Sequence, residues 1–136
     1  MGAGNVLSPE LAAKMLQETG CDGVFVARGA MGNPWIFKAI ERYLKDGKGP
    51  EKISLDTRKT VLKKHLGYIY EFSRLKNPTR VGYMRKVALW YMKQFPNAAK
   101  IRAKISSIKR YEDMVEFIDS VVENSPTQGE ISEHVR

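Results

Sequence analysis

The chain has 136 residues, 43% hydrophobic and 28% charged, an ordinary balance for about one globular domain. No run approaches the roughly 18 apolar residues of a membrane span, and the first residues do not read as a signal peptide. The single Cys21 excludes an internal disulfide, and with only His65 and His134 beside it no metal site is expected, so a reducing, cytoplasmic setting without membrane contact is the default.

The net charge of +8 is unevenly spread. Residues 1–50 carry +1, residues 51–111 carry +13, and residues 112–136 carry −6. A field concentrated in one segment attracts polyanions, nucleic acid foremost. The competing reading of the same charge is a solvated helical surface.

In chain order, Ser8-Pro9-Glu10 opens a first helix, with serine as N-cap and proline in the first turn. Leu11, Met15 and Leu16 form its apolar stripe, and Gly20 stands where a helix-ending residue would. Residues 23–27 read as a short buried strand. Ala27-Arg28-Gly29-Ala30 then forms a turn, and a second helix begins at Pro34 with Trp35, Ile36, Ile40, Tyr43 and Leu44. Gly47-Lys48-Gly49-Pro50 breaks the pattern and marks a domain boundary.

Beyond the break the chain reads as helix throughout. A helix capped by Ser54 or Asp56 runs to about Leu75, its apolar set Val61, Leu62, Leu66, Ile69, Tyr70 and Phe72. Asn77-Pro78 separates it from a helix reaching about Phe95, where Val81, Met84, Ala88, Tyr91 and Phe95 recur at spacings of three and four, as one buried face requires. Two more helices, 98–107 and 111–122, follow. The expected architecture is mainly α: a four-helix bundle over 51–122, preceded by a β/α unit over 1–46 and followed by a flexible tail over 123–136. A parallel strand needs neighbours, and 1–46 offers none that this reading identifies. The strand is therefore expected to pair with another copy, to refold against the bundle, or to belong to a larger protein.

The turn after the strand has a candidate chemical purpose. In parallel α/β folds ligands sit at the carboxyl ends of strands. Small residues let backbone N–H groups approach a ligand, and Arg28 adds a charged fork suited to phosphate. A plain solvated turn fits the same residues.

Residues 20–37, GCDGVFVARGAMGNPWIF, closely resemble the last barrel strand and following turn of bacterial tRNA-dihydrouridine synthases. Gly4-Asn5-Val6-Leu7-Ser8-Pro9-Glu10 resembles that family's preceding strand end. Arg85-Lys86-Val87-Ala88-Leu89-Trp90-Tyr91 and Phe95-Pro96-Asn97-Ala98-Ala99, with Arg102, resemble its helical region. The likeness runs from about Gly4 to Val122. It departs at Ala3, Asn5, Ala27 and Val87, where the family pattern has Asn, Asp, Gly and commonly His.

The resemblance implies a flavin-bearing (β/α)8, or TIM, barrel followed by a helical domain, in an enzyme that reduces uridines of tRNA with FMN and NADPH. It implies that residues 1–46 are the last β/α segment of that barrel. Gly4, Asn5, Ala27, Arg28 and Gly29 would then lie in the FMN phosphate site. The family's proton-donating cysteine, in an Asn-x-Gly-Cys-Pro pattern, has no counterpart here, so no catalytic residue is assigned and Cys21 is read as structural. The chain is expected to be inactive alone and to hold FMN poorly. The helical half is expected to grip tRNA through Lys63, Lys64, Arg85, Lys86, Lys93, Lys100, Arg102 and Lys104, with Tyr91 in the core and Trp90 unassigned. A stand-alone helical nucleic-acid-binding module and a self-associating fragment remain as alternatives.

Overall fold

A computed structural model describes residues 2–93 and 95–122; the expected tail, 123–136, lies outside them. The described chain is mostly helical. Strand β1 (Gly2–Ala3), helix α1 (Pro9–Thr19), strand β2 (Val24–Phe25) and helix α2 (Ile36–Asp46) make the first part. Helices α3 (Leu55–Phe72), α4 (Thr79–Met92), α5 (Ala98–Ser107) and α6 (Tyr111–Ser120) make the second.

Local chemistry sets the helix ends. The Ser8 hydroxyl accepts from the Leu11 N–H at 3.3 Å, Pro9 opens α1, and Gly20 closes it in the left-handed region at φ 65°. Gly47 closes α2 in the same way at φ 69°. Ser54, not Asp56, caps α3 by accepting from the Thr57 N–H at 3.2 Å. Ser8, Gly20, Gly47 and Ser54 each satisfy a backbone group that the helix itself leaves without a partner.

The strand differs from expectation in two ways. It does have a parallel neighbour within the first part, since Gly2 pairs with Val24 and Ala3 with Phe25. A two-residue segment bearing glycine carries no apolar alternation, so it gives no strand signal in the sequence. Nor is the strand buried: Phe25 is 57% exposed. A two-stranded pair flanked by α1 leaves a sheet face open, whereas a parallel strand becomes fully buried only when both faces are covered. The α1 stripe shifts too. Pro9 and Ala12 are buried, and Leu11 faces outward.

Helices α3 to α6 enclose one apolar cluster. Leu62, Leu66 and Ile69 of α3 meet Val81, Met84, Val87, Ala88, Tyr91 and Met92 of α4. Ile101 and Ile105 of α5 and Met114 and Ile118 of α6 complete it, with Phe95 and Ile108 from the connections. All five positions expected on this face are buried, although α4 ends at Met92 rather than near Phe95, which reaches the core from the connection that follows. On α3, however, Tyr70 and Phe72 are exposed while Ile69 of the same turn is buried: Tyr70 stacks on Tyr111 outside the core, and Phe72 ends the helix in solvent.

Cations tie the helices together at their carboxyl ends, where carbonyl groups lack intrahelical partners. Lys59 Nζ donates to the carbonyls of Asp119 (3.0 Å) and Val121 (2.8 Å) at the end of α6. Arg85 donates to the Ile108 carbonyl that closes α5 (2.8 Å), and Arg80 to the Tyr70 carbonyl of α3 (3.0 Å).

The first part is docked on the second through the segment between β2 and α2. Gly32, at φ 68°, lies directly against the backbone of Trp90. The Trp35 ring meets Tyr91 edge-on at 6.3 Å, and the Arg58 guanidinium sits 5.2 Å from the Trp35 centroid.

Candidate nucleic-acid interface and strand-end turn

The two turns singled out in the sequence come together in space. Residues 4–7 follow β1, and a single 3-10 turn, Arg28–Ala30, follows β2. Because the strands are parallel and paired, their carboxyl ends lie side by side. Arg28 donates to Asn5 Oδ1 at 2.6 Å, joining the turns across 23 residues of sequence. Gly4, Asn5, Ala27 and Arg28 are exposed, and Gly29 is half-buried. Among the described residues, no protein oxygen accepts from the backbone N–H of Asn5, Arg28 or Gly29. The two adjacent turns thus carry a guanidinium and three N–H groups without protein acceptors, donors of the kind that suit an anion.

Gly29 has a second reason to be glycine. A Cβ there would fall within the van der Waals envelope of the Val6 carbonyl oxygen and press on Ile36 Cδ1. The close approach that the sequence suggested for a ligand is also an approach between the protein's own two turns.

The eight candidate cations divide by environment. Lys64, Lys86, Lys93, Lys100, Arg102 and Lys104 are exposed. The Lys64 ammonium sits 6.0 Å from the Tyr68 centroid, and Lys86 sits 5.7 Å from that of Trp90. Lys63 and Arg85 are half-buried and already engaged: Lys63 pairs with Asp119 at 2.6 Å, and Arg85 holds the Ile108 carbonyl. Side-chain partners so distant in sequence leave no trace in a charge count. Tyr91, 4% exposed, is in the core as expected. Its hydroxyl lies 3.1 Å from His65 Nδ1. Burial lowers the His65 pKa and raises that of Tyr91, since each charged form is poorly solvated there.

Between the strand-end turn and helices α3 and α4 lies a cleft of about 880 Å³. Arg28, Lys38, Arg42, Lys52, Arg58 and Lys93 line it, against the carboxylates of Glu10 and Glu51. Arg42 is paired with Glu51, and burial lowers the Arg58 pKa from its ordinary value. Of these six cations only Arg28 and Lys93 stood among the candidate residues. The others are scattered singly along the chain, and docking of the Gly32–Trp35 segment against α3 and α4 is what gathers them. Among the described residues no helix is long and apolar enough to cross a membrane.

Comparison with known proteins identifies the family. The family model for dihydrouridine synthase (Dus) matches residues 1–126. The chain is 34% identical over 106 residues to tRNA-dihydrouridine synthase B of Pseudomonas putida, covering 78% of this chain and 31% of that protein. It is 35% identical over 109 residues to tRNA-dihydrouridine synthase B of Pseudomonas syringae pv. tomato, covering 80% and 32%. A third relative, probable tRNA-dihydrouridine synthase 1 of Synechocystis, is 30% identical over 119 residues, covering 88% and 33%. The chain belongs to the dihydrouridine synthase family, and it spans about a third of the length of these relatives.

Proposed function

We propose that this chain is the C-terminal portion of a tRNA-dihydrouridine synthase, a cytoplasmic enzyme that reduces uridine in tRNA with FMN and NADPH. Residues 51–122 are its tRNA-binding helical domain, a four-helix bundle. Residues 1–46 are the last β/α segment of its TIM barrel. The observation that carries this reading is the set of six exposed cations on α3, α4 and α5 and at the end of α4, in a chain of this family. Helix-borne cations meet phosphates rather than base edges, so binding depends on charge and shape.

The strand-end turn fits the phosphate of FMN. Arg28 and the N–H groups of Asn5, Arg28 and Gly29 supply donors, and Gly4 and Ala27 add no bulk beside them. When bound, the flavin supplies the reducing electrons; the residues of this chain hold and orient its phosphate end. The chain alone is inactive, because it carries no counterpart of the family's cysteine motif.

The test is affinity for tRNA against duplex DNA over a range of salt. Much tighter, salt-dependent binding of tRNA is the expected result. Equal affinity for both, falling alike with salt, would instead mark a non-enzymatic nucleic-acid module. Self-association is the second reading, favoured by a specific observation: Leu7, Leu11, Phe25, Met31, Phe37 and Leu44 are all exposed on the first part, beside a sheet of two strands among the described residues. A mass that rises with concentration and ignores RNA would support it.

A further inference from the structure

Lys64, Tyr68 and Phe72 recur every fourth residue along α3, a spacing that stacks side chains one above another. The Lys64 ammonium lies 6.0 Å from the Tyr68 centroid, and the Tyr68 and Phe72 rings lie 6.2 Å apart, tilted by 41°. Tyr68 is 51% exposed and Phe72 70%. The outer stripe of a helix in a globular chain is ordinarily polar, so two adjacent rings in water need a reason.

The neighbouring aromatic pair is differently arranged. Tyr70 stacks on Tyr111 at 4.3 Å and 16°, and the Arg80 guanidinium lies 4.4 Å from its centroid. The chain thus supplies Tyr70 with both an aromatic and a cationic partner. Among the described residues, the one ring partner of Phe72 is Tyr68.

Charge selects the occupant. Between residues 58 and 86, nine Lys/Arg stand against one carboxylate, Glu71. A second copy docked here through the same face would bring like charge onto like charge. A polyanion with exposed aromatic faces meets no such penalty, and single-stranded RNA is one. In a duplex the base faces are already stacked inside, whereas unpaired bases stack on aromatic side chains and cations. Resting on the RNA-binding reading above, we infer that the Lys64–Tyr68–Phe72 ladder is a docking site for unpaired nucleobases of RNA. The rings take base faces, and Lys64 neutralises an adjoining phosphate.

The experiment measures fluorescence anisotropy of three labelled probes with the full 136-residue chain: a short oligoadenylate, an abasic ribose-phosphate strand of equal length, and a blunt RNA duplex. The unaltered chain binds oligoadenylate more tightly than the abasic strand. The double variant Tyr68→Ala/Phe72→Ala weakens oligoadenylate binding about tenfold and leaves the other two probes within about twofold. Phe72→Leu keeps the apolar bulk and removes the ring face; it shows part of the same selective loss even if the double variant does not fold.

Oligoadenylate binding unchanged in Phe72→Leu and in a folded double variant would overturn the inference, as would equal affinity of the unaltered chain for oligoadenylate and the abasic strand. So would a concentration-dependent mass that the variants abolish, which would make the ladder a contact between copies. If tRNA binding persists in these cases, only the ladder fails; if no RNA binds at low salt, the reading beneath it fails as well.

Discussion

Gly32 is the residue on which the docking of the two parts turns. It adopts φ 68°, a conformation side chains resist, and its Cα faces the backbone of Trp90 with no room for a Cβ. Gly32→Ala would force both a left-handed alanine and an overlap with main-chain atoms that cannot rotate away. The expected cost is about 2–4 kcal/mol, read as a lowered urea midpoint of unfolding followed by tryptophan fluorescence. His65 makes a second prediction at this scale. Its folded pKa lies below the ordinary 6.5 because burial penalises the imidazolium. The unfolded chain therefore binds the proton more readily than the folded chain. The stability contributed by neutral His65 is present above about pH 6.5 and is lost as pH falls toward the folded pKa. Replacing it with glutamine, which does not titrate, should flatten the pH dependence of Tm between about pH 7.5 and 5.5. The approach of Gly32 to Trp90, far along the chain, leaves no local signal in the sequence.

At the scale of elements, the helix ends were legible because they are local. Ser8, Gly20, Gly47 and Ser54 act on backbone groups within four residues of themselves, and each stands where the sequence suggests. The α4 core face was legible for a related reason, since one periodic stripe has only one side to bury. The cations were not. Lys59, Lys63 and Arg85 look like surface lysines and arginines of a basic stretch, yet they hold the carboxyl ends of α6 and α5. Lys59→Met keeps most of the apolar stem and removes the donor. It should destabilise α6 by about 1 kcal/mol and speed hydrogen exchange over 111–120 more than over α4. Lys63→Ala, in turn, should change stability more clearly than it changes RNA affinity, because its ammonium is already paired with Asp119.

For the whole molecule, the distribution of charge and the reach of the strand-end turn each set an expectation. Neutralising Lys86, Lys100 and Lys104 together should reduce the slope of log affinity for tRNA against log salt by about two to three, at roughly 0.7–0.9 for each phosphate no longer neutralised. Titration with FMN should show weak binding and no stoichiometric retention of flavin after gel filtration, because the first part offers donors for the phosphate end alone. The mainly helical class, the order of the six helices and the basic character of 51–111 were determined by the sequence itself. Capping, periodicity and composition act over a few residues and need no knowledge of distant partners. Tertiary structure alone decided that Gly2–Ala3 pairs with Val24–Phe25, that Arg28 reaches Asn5, that six scattered cations line one cleft, and which lysines and arginines are engaged in holding helix ends. Each of these joins residues far apart in the chain, and no local pattern carries the free energy of an interaction that exists only once the chain has closed upon itself.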